Sequence, residues 1–427
     1  MMAVRHRLLP AGPQYRNTDT ISVPAAAADF LQQRLPGLPG GRQIADETVP
    51  TSLPGMEEVL RCVEQGMRYG CVAAPNAKSR CEEILQYVSG RSSVRASDVR
   101  LVATANLAAA ECHLGHPVRS SELCQQVIRD PACGSRFKLQ ALVRQVVNLT
   151  DMCRYEGAVT IAREASGLLD NLGSATERLD AELQLTGSMG QALCYWALLD
   201  ASKTDEAFRM IKKSCHLARE LDGDAAAHTP DLARNLCYWY LAHALLKPSK
   251  AEAVYFEVDD TCLHDVKTRD YFLRARWLSA YRMFLLGLQL PDTLSAMDME
   301  MPRPTAESGW LNQLAAKYRG ALRAASGDAR GASRDLEVAA KLLEHRDSSP
   351  LLVFIGATAC LQAGESLIEQ LPQDAHIFLD KAMAVFREKS HWFWGRLEGK
   401  MWSERTEGLA SGSLAVCGNG PQLFYPY

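Results

Sequence analysis

The sequence predicts an all-α fold, an α-solenoid of about seven stacked antiparallel helix pairs, on three observations. First, one pattern recurs between Ser97 and Leu409: an apolar helix, a short polar turn, then a second helix opening on a small residue. In the best copies, Ala158/Ala162/Ala165 and Ala332/Leu336/Ala339, the marked positions share one helical face. Small side chains there let two helices approach closely, and a larger one such as Leu336 fills the groove of its neighbour. Second, Pro117, Pro230, Pro248, Pro350 and Pro372 fall where the apolar periodicity breaks, as helix punctuation does. Third, no stretch alternates with period two for a strand's length, and Asp222-Gly223 follows a helical run as a stop signal.

In chain order, seven of the 19 prolines lie in the first 54 residues beside Gly37, Gly40 and Gly41, so residues 1–54 read as an extended or disordered arm. A first helix pair is expected at about Met56–Gly70 and Lys78–Val88. The small residues opening later second helices are Ser120, Ala158, Ala207, Ala253, about Leu294, Ala332 and Ala375, at steps of about 38 to 49 residues, which suits stacked pairs. Ser174-Ala-Thr-Glu177 and Ser249-Lys-Ala-Glu252 have capping-box spacing. A helix from about Glu388 to Leu409 closes the stack, and residues 411–427 form a flexible tail. Each pair buries only part of its apolar face alone, so one continuous domain over 55–410 is expected.

Composition excludes more than it selects. The 47 basic and 50 acidic residues give a net charge of -3, too little field for polyphosphates or anionic membranes, which disfavours nucleic acid as a partner. The 13 cysteines contain no CxxC pair and read as small buried hydrophobes in a reducing compartment, hence an intracellular, cytoplasmic or nuclear protein. The sequon Asn148-Leu149-Thr150 then meets no glycosyltransferase. The longest apolar run, Leu351–Leu361, stops at Gln362, short of the roughly 18 to 20 residues that cross a bilayer, so no membrane association is expected. Arg5, Arg7 and Arg16 precede the first acid, Asp19, as in an organelle transit peptide, but Pro10 and Pro13 interrupt any amphipathic run there.

The turn Tyr155-Glu-Gly-Ala158 and the faces Ala158/Ala162/Ala165, Ala332/Leu336/Ala339 and Ala375/Leu379/Ala382 resemble the tetratricopeptide repeat family, and Gly320 matches the small position of its first helix. The steps here are longer than that family's roughly 34 residues. The resemblance implies a right-handed superhelix whose concave groove, lined mainly by first helices, holds a protein segment, in a subunit of a multiprotein assembly.

Catalytic constellations are weak. Asp259, Asp260 and Asp265 could hold Mg2+ against a diphosphate, but the second metal motif of helical diphosphate enzymes is missing, and an acidic turn accounts for them. Cys112, His113, His116 and Cys124 are zinc-ligand types in which Cys112 falls on an apolar helix face and His116 precedes Pro117. From Arg269 to Phe284 basic and aromatic residues interleave as in single-strand nucleic-acid binding, yet Leu273, Trp277, Tyr281, Phe284 and Leu288 form one core stripe. Thr186-Gly-Ser188-Met-Gly190 lacks the first glycine and the strand of a nucleophile elbow. Asn148, Arg234, Asn235, Tyr238, His243, Arg274, Arg276 and Asn312 lie on expected first helices, off the apolar stripe, and are the candidates to line a partner-binding groove. The expectation is a non-enzymatic scaffold, with no cofactor and no metal, that binds an extended segment or helical subunit of a protein partner. The alternatives are a Mg-dependent enzyme using Asp259/Asp260/Asp265 and an RNA-binding repeat protein.

Overall fold

The computed structural model describes residues 52–69, 74–131, 133–222, 309–345, 349–388 and 406–412, with isolated positions between 235 and 288. Among these residues there is no strand; helices and turns account for nearly all of them. They divide into two compact units, one through Asn235 and the other from Tyr238 onward. Residues 1–51 of the arm, 413–427 of the tail, 389–405 of the expected closing helix, the Ala253 and Leu294 pairs and the second capping box lie outside the described residues.

The first unit contains α1 (Leu53–Tyr69), α2 (Ala74–Val88), α3 (Val94–His113), α4 (Pro117–Arg129), α5 (Ser135–Asp151), α6 (Tyr155–Ser166), α7 (Ala175–Leu199) and α8 (Thr204–Asp222). First helices begin at Leu53, Val94, Ser135 and Ala175, every 40 or 41 residues. Each helix packs on the next in sequence, and each first helix also touches the following one: α1 on α3, α3 on α5, α5 on α7. The first pair runs a few residues earlier than its periodicity implies, because Ser52 accepts a bond from Gly55 N–H and opens α1, and α2 starts at Ala74 ahead of Pro75.

A single register explains the packing of the second helices. Their fourth, eighth and eleventh residues are Ala77/Cys81/Ile84 in α2, Ser120/Cys124/Val127 in α4, Ala158/Ala162/Ala165 in α6 and Ala207/Ile211/Ser214 in α8. None of the twelve is more than 1% exposed. Spacings of four and three place them on one stripe, and each larger member contributes on the order of 1.5–3 kcal/mol by burial.

The turns between paired helices repeat too. Gly115 (φ 81°), Cys153 (φ 58°) and, in the second unit, Gly327 (φ 88°) are left-handed residues just past a first helix. The next residue's N–H reaches back to the helix in each case: His116 to Glu111 O at 2.9 Å, Arg154 to Leu149 O at 2.8 Å and Asp328 to Arg323 O at 2.9 Å. This Schellman closure satisfies carbonyls the ending helix leaves open and reverses the chain within three residues. Ser93 and Ser174 cap α3 and α7, the latter through Glu177 N–H at 3.1 Å, as its capping-box spacing requires.

The second unit contains α9 (Gly309–Ala325), α10 (Ala329–Ala340), a 3-10 turn at Lys341–His345, α11 (Pro350–Leu367) and α12 (Pro372–Glu388), with residues 406–410 also helical. Its first helices are again 41 residues apart, at Gly309 and Pro350, and pack together. Ala332/Leu336/Ala339 and Ala375/Leu379/Ala382 occupy the same register in α10 and α12, all fully buried. Glycines of the first helices receive the eighth residues: a Cβ on Gly320 would lie 2.8 Å from Leu336 Cγ, and one on Gly364 would overlap Leu379.

Helix α11 amends the membrane expectation. Its 18 residues are long and apolar enough to cross a bilayer, but most of them are buried inside the protein. A helix apolar on every side needs partners on every side, and α11 has α9, α10 and α12.

Candidate partner-binding groove

The residues expected to line a groove are interior wherever their side chains are described. Asn148 is fully buried and its Nδ2 donates to Ser120 Oγ at 3.0 Å. Asn235 is buried over Gly187 of α7, where an added Cβ would meet its Oδ1 at 2.6 Å. Tyr238, Arg274 and Arg276 are buried as well. These five therefore offer a partner almost no surface. Arg234 and His243 lie outside the described residues, and Asn312 is on α9 with its side chain outside them.

Around Arg274 the second unit has a polar interior. Lys317 of α9 is fully buried, with Nζ 3.3 Å from Thr358 Oγ1. Burial, and then the like charge of Arg274, hold its amine well below the ordinary lysine range. One α-helical turn beyond Thr358, Gln362 Nε2 donates to Tyr281 OH at 2.7 Å. Arg319 forks onto buried Asp335, Nε to Oδ2 at 2.7 Å and Nη2 to Oδ1 at 2.5 Å, and Arg323 adds a bond at 3.1 Å. These groups tie helices together in the interior.

Glu111 of α3 gathers two titratable partners. His116 Nδ1 lies 2.6 Å from Glu111 Oε2, and Lys78 Nζ lies 2.9 Å from Glu111 Oε1. Burial works to raise the Glu111 carboxyl, but bonds from His116 and Lys78 outweigh it and hold the group below the usual carboxylate range. Among the described residues no three of His, Cys, Asp and Glu come together as metal ligands. Burial pushes the thiols of Cys81, Cys124, Cys153, Cys215 and Cys360 up to about 12, far from thiolate character. Thr186 to Gly190 is the interior of α7, with Thr186 Oγ1 bonded to Glu182 O at 2.7 Å. The Asp259/Asp260/Asp265 cluster lies outside the described residues.

A groove does form on the first helices, from other residues. Asp98, Leu101 and Val102 of α3, Gly134 to Phe137 at the start of α5, and Asn171 to Gly173 with Glu177 at the start of α7 enclose about 400 Å3. Leu101, Val102, Phe137 and Leu172 supply an apolar wall. Arg136 stands at the rim between two carboxylates, 3.8 Å from Glu177 Oε1 and 3.7 Å from Glu64 Oε1 of α1, with its guanidinium 6.0 Å from the Phe137 ring centroid. Asp98 is exposed and has no ion-pair partner among the described residues. Sequence reasoning did not single these residues out. The available signal was a glycine just before two successive first helices, Gly134 and Gly173. Compared with known proteins, the chain matches no family model and has no significant similarity to a curated sequence.

Proposed function

We propose that this chain is a non-enzymatic scaffold, a tetratricopeptide-like right-handed solenoid that holds a segment of a protein partner against its first helices as a subunit of a larger assembly, inside the cell. The observation that carries the reading is the shared register of six second helices, in which fourth, eighth and eleventh residues are all spent on packing. Such helices have one function-neutral face, and the first helices, which touch one another in series, are left to form the working surface. The groove of α3, α5 and α7 lies on that surface. Nine free cysteines among the described residues, seven of them buried, favour a reducing compartment. Burial of Arg274 and Arg276 weighs against RNA, because neither guanidinium is placed to meet a phosphate.

The test is affinity purification of the intact chain and of a version lacking residues 1–54, with identification of co-purifying proteins. A specific protein recovered in stoichiometric amount supports the scaffold. Recovery of none with either form, or of nucleic acid alone, overturns it.

A further inference from the structure

We infer that the α3/α5/α7 groove accepts an extended segment carrying Lys or Arg next to an aliphatic or aromatic side chain; this rests on the scaffold reading and names the partner's chemistry. Acidic side chains border an apolar floor in this groove. Two carboxylates, Asp98 and Glu177, line the groove against a single lining cation, Arg136, whose other carboxylate neighbour, Glu64 of α1, lies outside the lining and accepts from Gln140 Nε2 at 3.4 Å. At 3.7 and 3.8 Å from its two carboxylates, Arg136 is beyond direct hydrogen-bond distance of either, and its side chain is 54% exposed. It acts as a placeholder that an incoming cation displaces. Leu101, Val102 and Phe137 then provide the wall on which the neighbouring apolar side chain sheds water. A segment of the opposite charge would place its carboxylate beside Asp98 and Glu177, which costs affinity and slows encounter.

A random heptapeptide display library panned against the intact chain tests this, with the same library panned against Asp98→Lys/Glu177→Lys. Both positions are exposed, and because Glu177 lies in the first turn of α7, folding is checked by an unchanged helical circular-dichroism spectrum and a cooperative melt, with a small drop in melting temperature allowed for the lost helix-dipole contact. The expected result is enrichment of basic–apolar heptapeptides on the wild type, about tenfold weaker binding of those peptides to the double variant at low salt, and a smaller difference at high salt. Arg136→Ala is expected to bind the same peptides more tightly, because it removes the competing cation; a purely structural arginine would not do so. Enrichment of acidic peptides, no enrichment, or equal binding to the double variant overturns the inference. The scaffold reading is judged separately: a partner recovered equally by wild type and Asp98→Lys/Glu177→Lys leaves the scaffold standing and removes this groove from it.

Discussion

Asn148 Nδ2 donates to Ser120 Oγ across the α4–α5 seam at 3.0 Å, and Ser120 Oγ donates in turn to Ala108 O of α3 at 2.7 Å. Ser120 holds the fourth position of its helix, where every other described second helix has alanine. The hydroxyl is there to satisfy a buried carboxamide from the next helix. Ser120→Ala leaves that amide only its weak 3.9 Å contact with Cys124 Sγ and is expected to cost about 1–3 kcal/mol. In Ser120→Ala/Asn148→Ala the losses should be less than additive, with a coupling of roughly 0.5–3 kcal/mol by urea denaturation. Strict additivity would mean that the bond contributes nothing to the seam.

Glycine tolerance should separate packing from backbone strain. A Cβ on Gly327 meets nothing within 4 Å, so Gly327→Ala isolates the left-handed φ of 88° and should cost about 1–2 kcal/mol. Gly364→Ala instead drives a methyl into Leu379 and should cost roughly 1–3 kcal/mol from overpacking. Only the second substitution should cost less in a Leu379→Ala background than in the wild type, measured as the drop in melting temperature within each background. Equal response of both glycines to Leu379→Ala would contradict the register that pairs α11 with α12.

That register was the legible part of the molecule. Ala158, Ala332 and Ala375 announce it because a small residue recurring at four and seven is visible without a partner in hand. Ala77 belongs to the same series but was hidden by Pro75 and the unmarked start of α2. The site was less legible, for a physical reason. Arg274 and Arg276 sit off the apolar stripe of their helix, and periodicity assigns such positions to solvent, which holds for a helix with one neighbour. A first helix inside a stack meets helices on more than one side, so its flanks are buried too, with Lys317 of α9 close enough to feel the charge of Arg274. The groove was invisible for the opposite reason: Asp98, Phe137 and Glu177 come from three pairs about 40 residues apart, and only folding makes a concavity of them.

Asp151, half-buried at the C-terminus of α5, is expected to set a pH dependence near neutrality. Burial pushes its carboxyl up from 3.8 to about 7, with Arg144 pulling the other way. Between those values the folded chain holds a proton that the unfolded chain has released, so this group's contribution to stability rises as pH falls from about 8 towards 5. Asp151→Asn removes the ionisation. The melting temperature of the variant minus that of the wild type should be positive at pH 8 and shrink steadily towards pH 5. A difference that stays constant across that range would show that Asp151 titrates at its ordinary value.

Lys317 imposes a slope of the opposite sign. Desolvation, reinforced by Arg274, keeps its amine well below 10.5, so over the interval between the folded value and 10.5 the unfolded chain binds a proton that the folded chain refuses. Stability from this group is therefore lost as pH falls from 10.5, and at neutral pH the chain carries the penalty. Lys317→Met keeps an unbranched apolar stem in the same space and deletes the amine. It gives up a 3.3 Å bond to Thr358 Oγ1, which still donates to Ile355 O at 2.9 Å, and the amine's 5.6 Å approach to the Tyr318 ring centroid. The variant should melt higher than the wild type at pH 7, by about 2–4 °C for each kcal/mol relieved, and the gain should fade by pH 10. A variant that instead melts lower at pH 7 than the wild type, with the gap closing at pH 10, would mean that Lys317 is charged in the fold and that an anion holds it there.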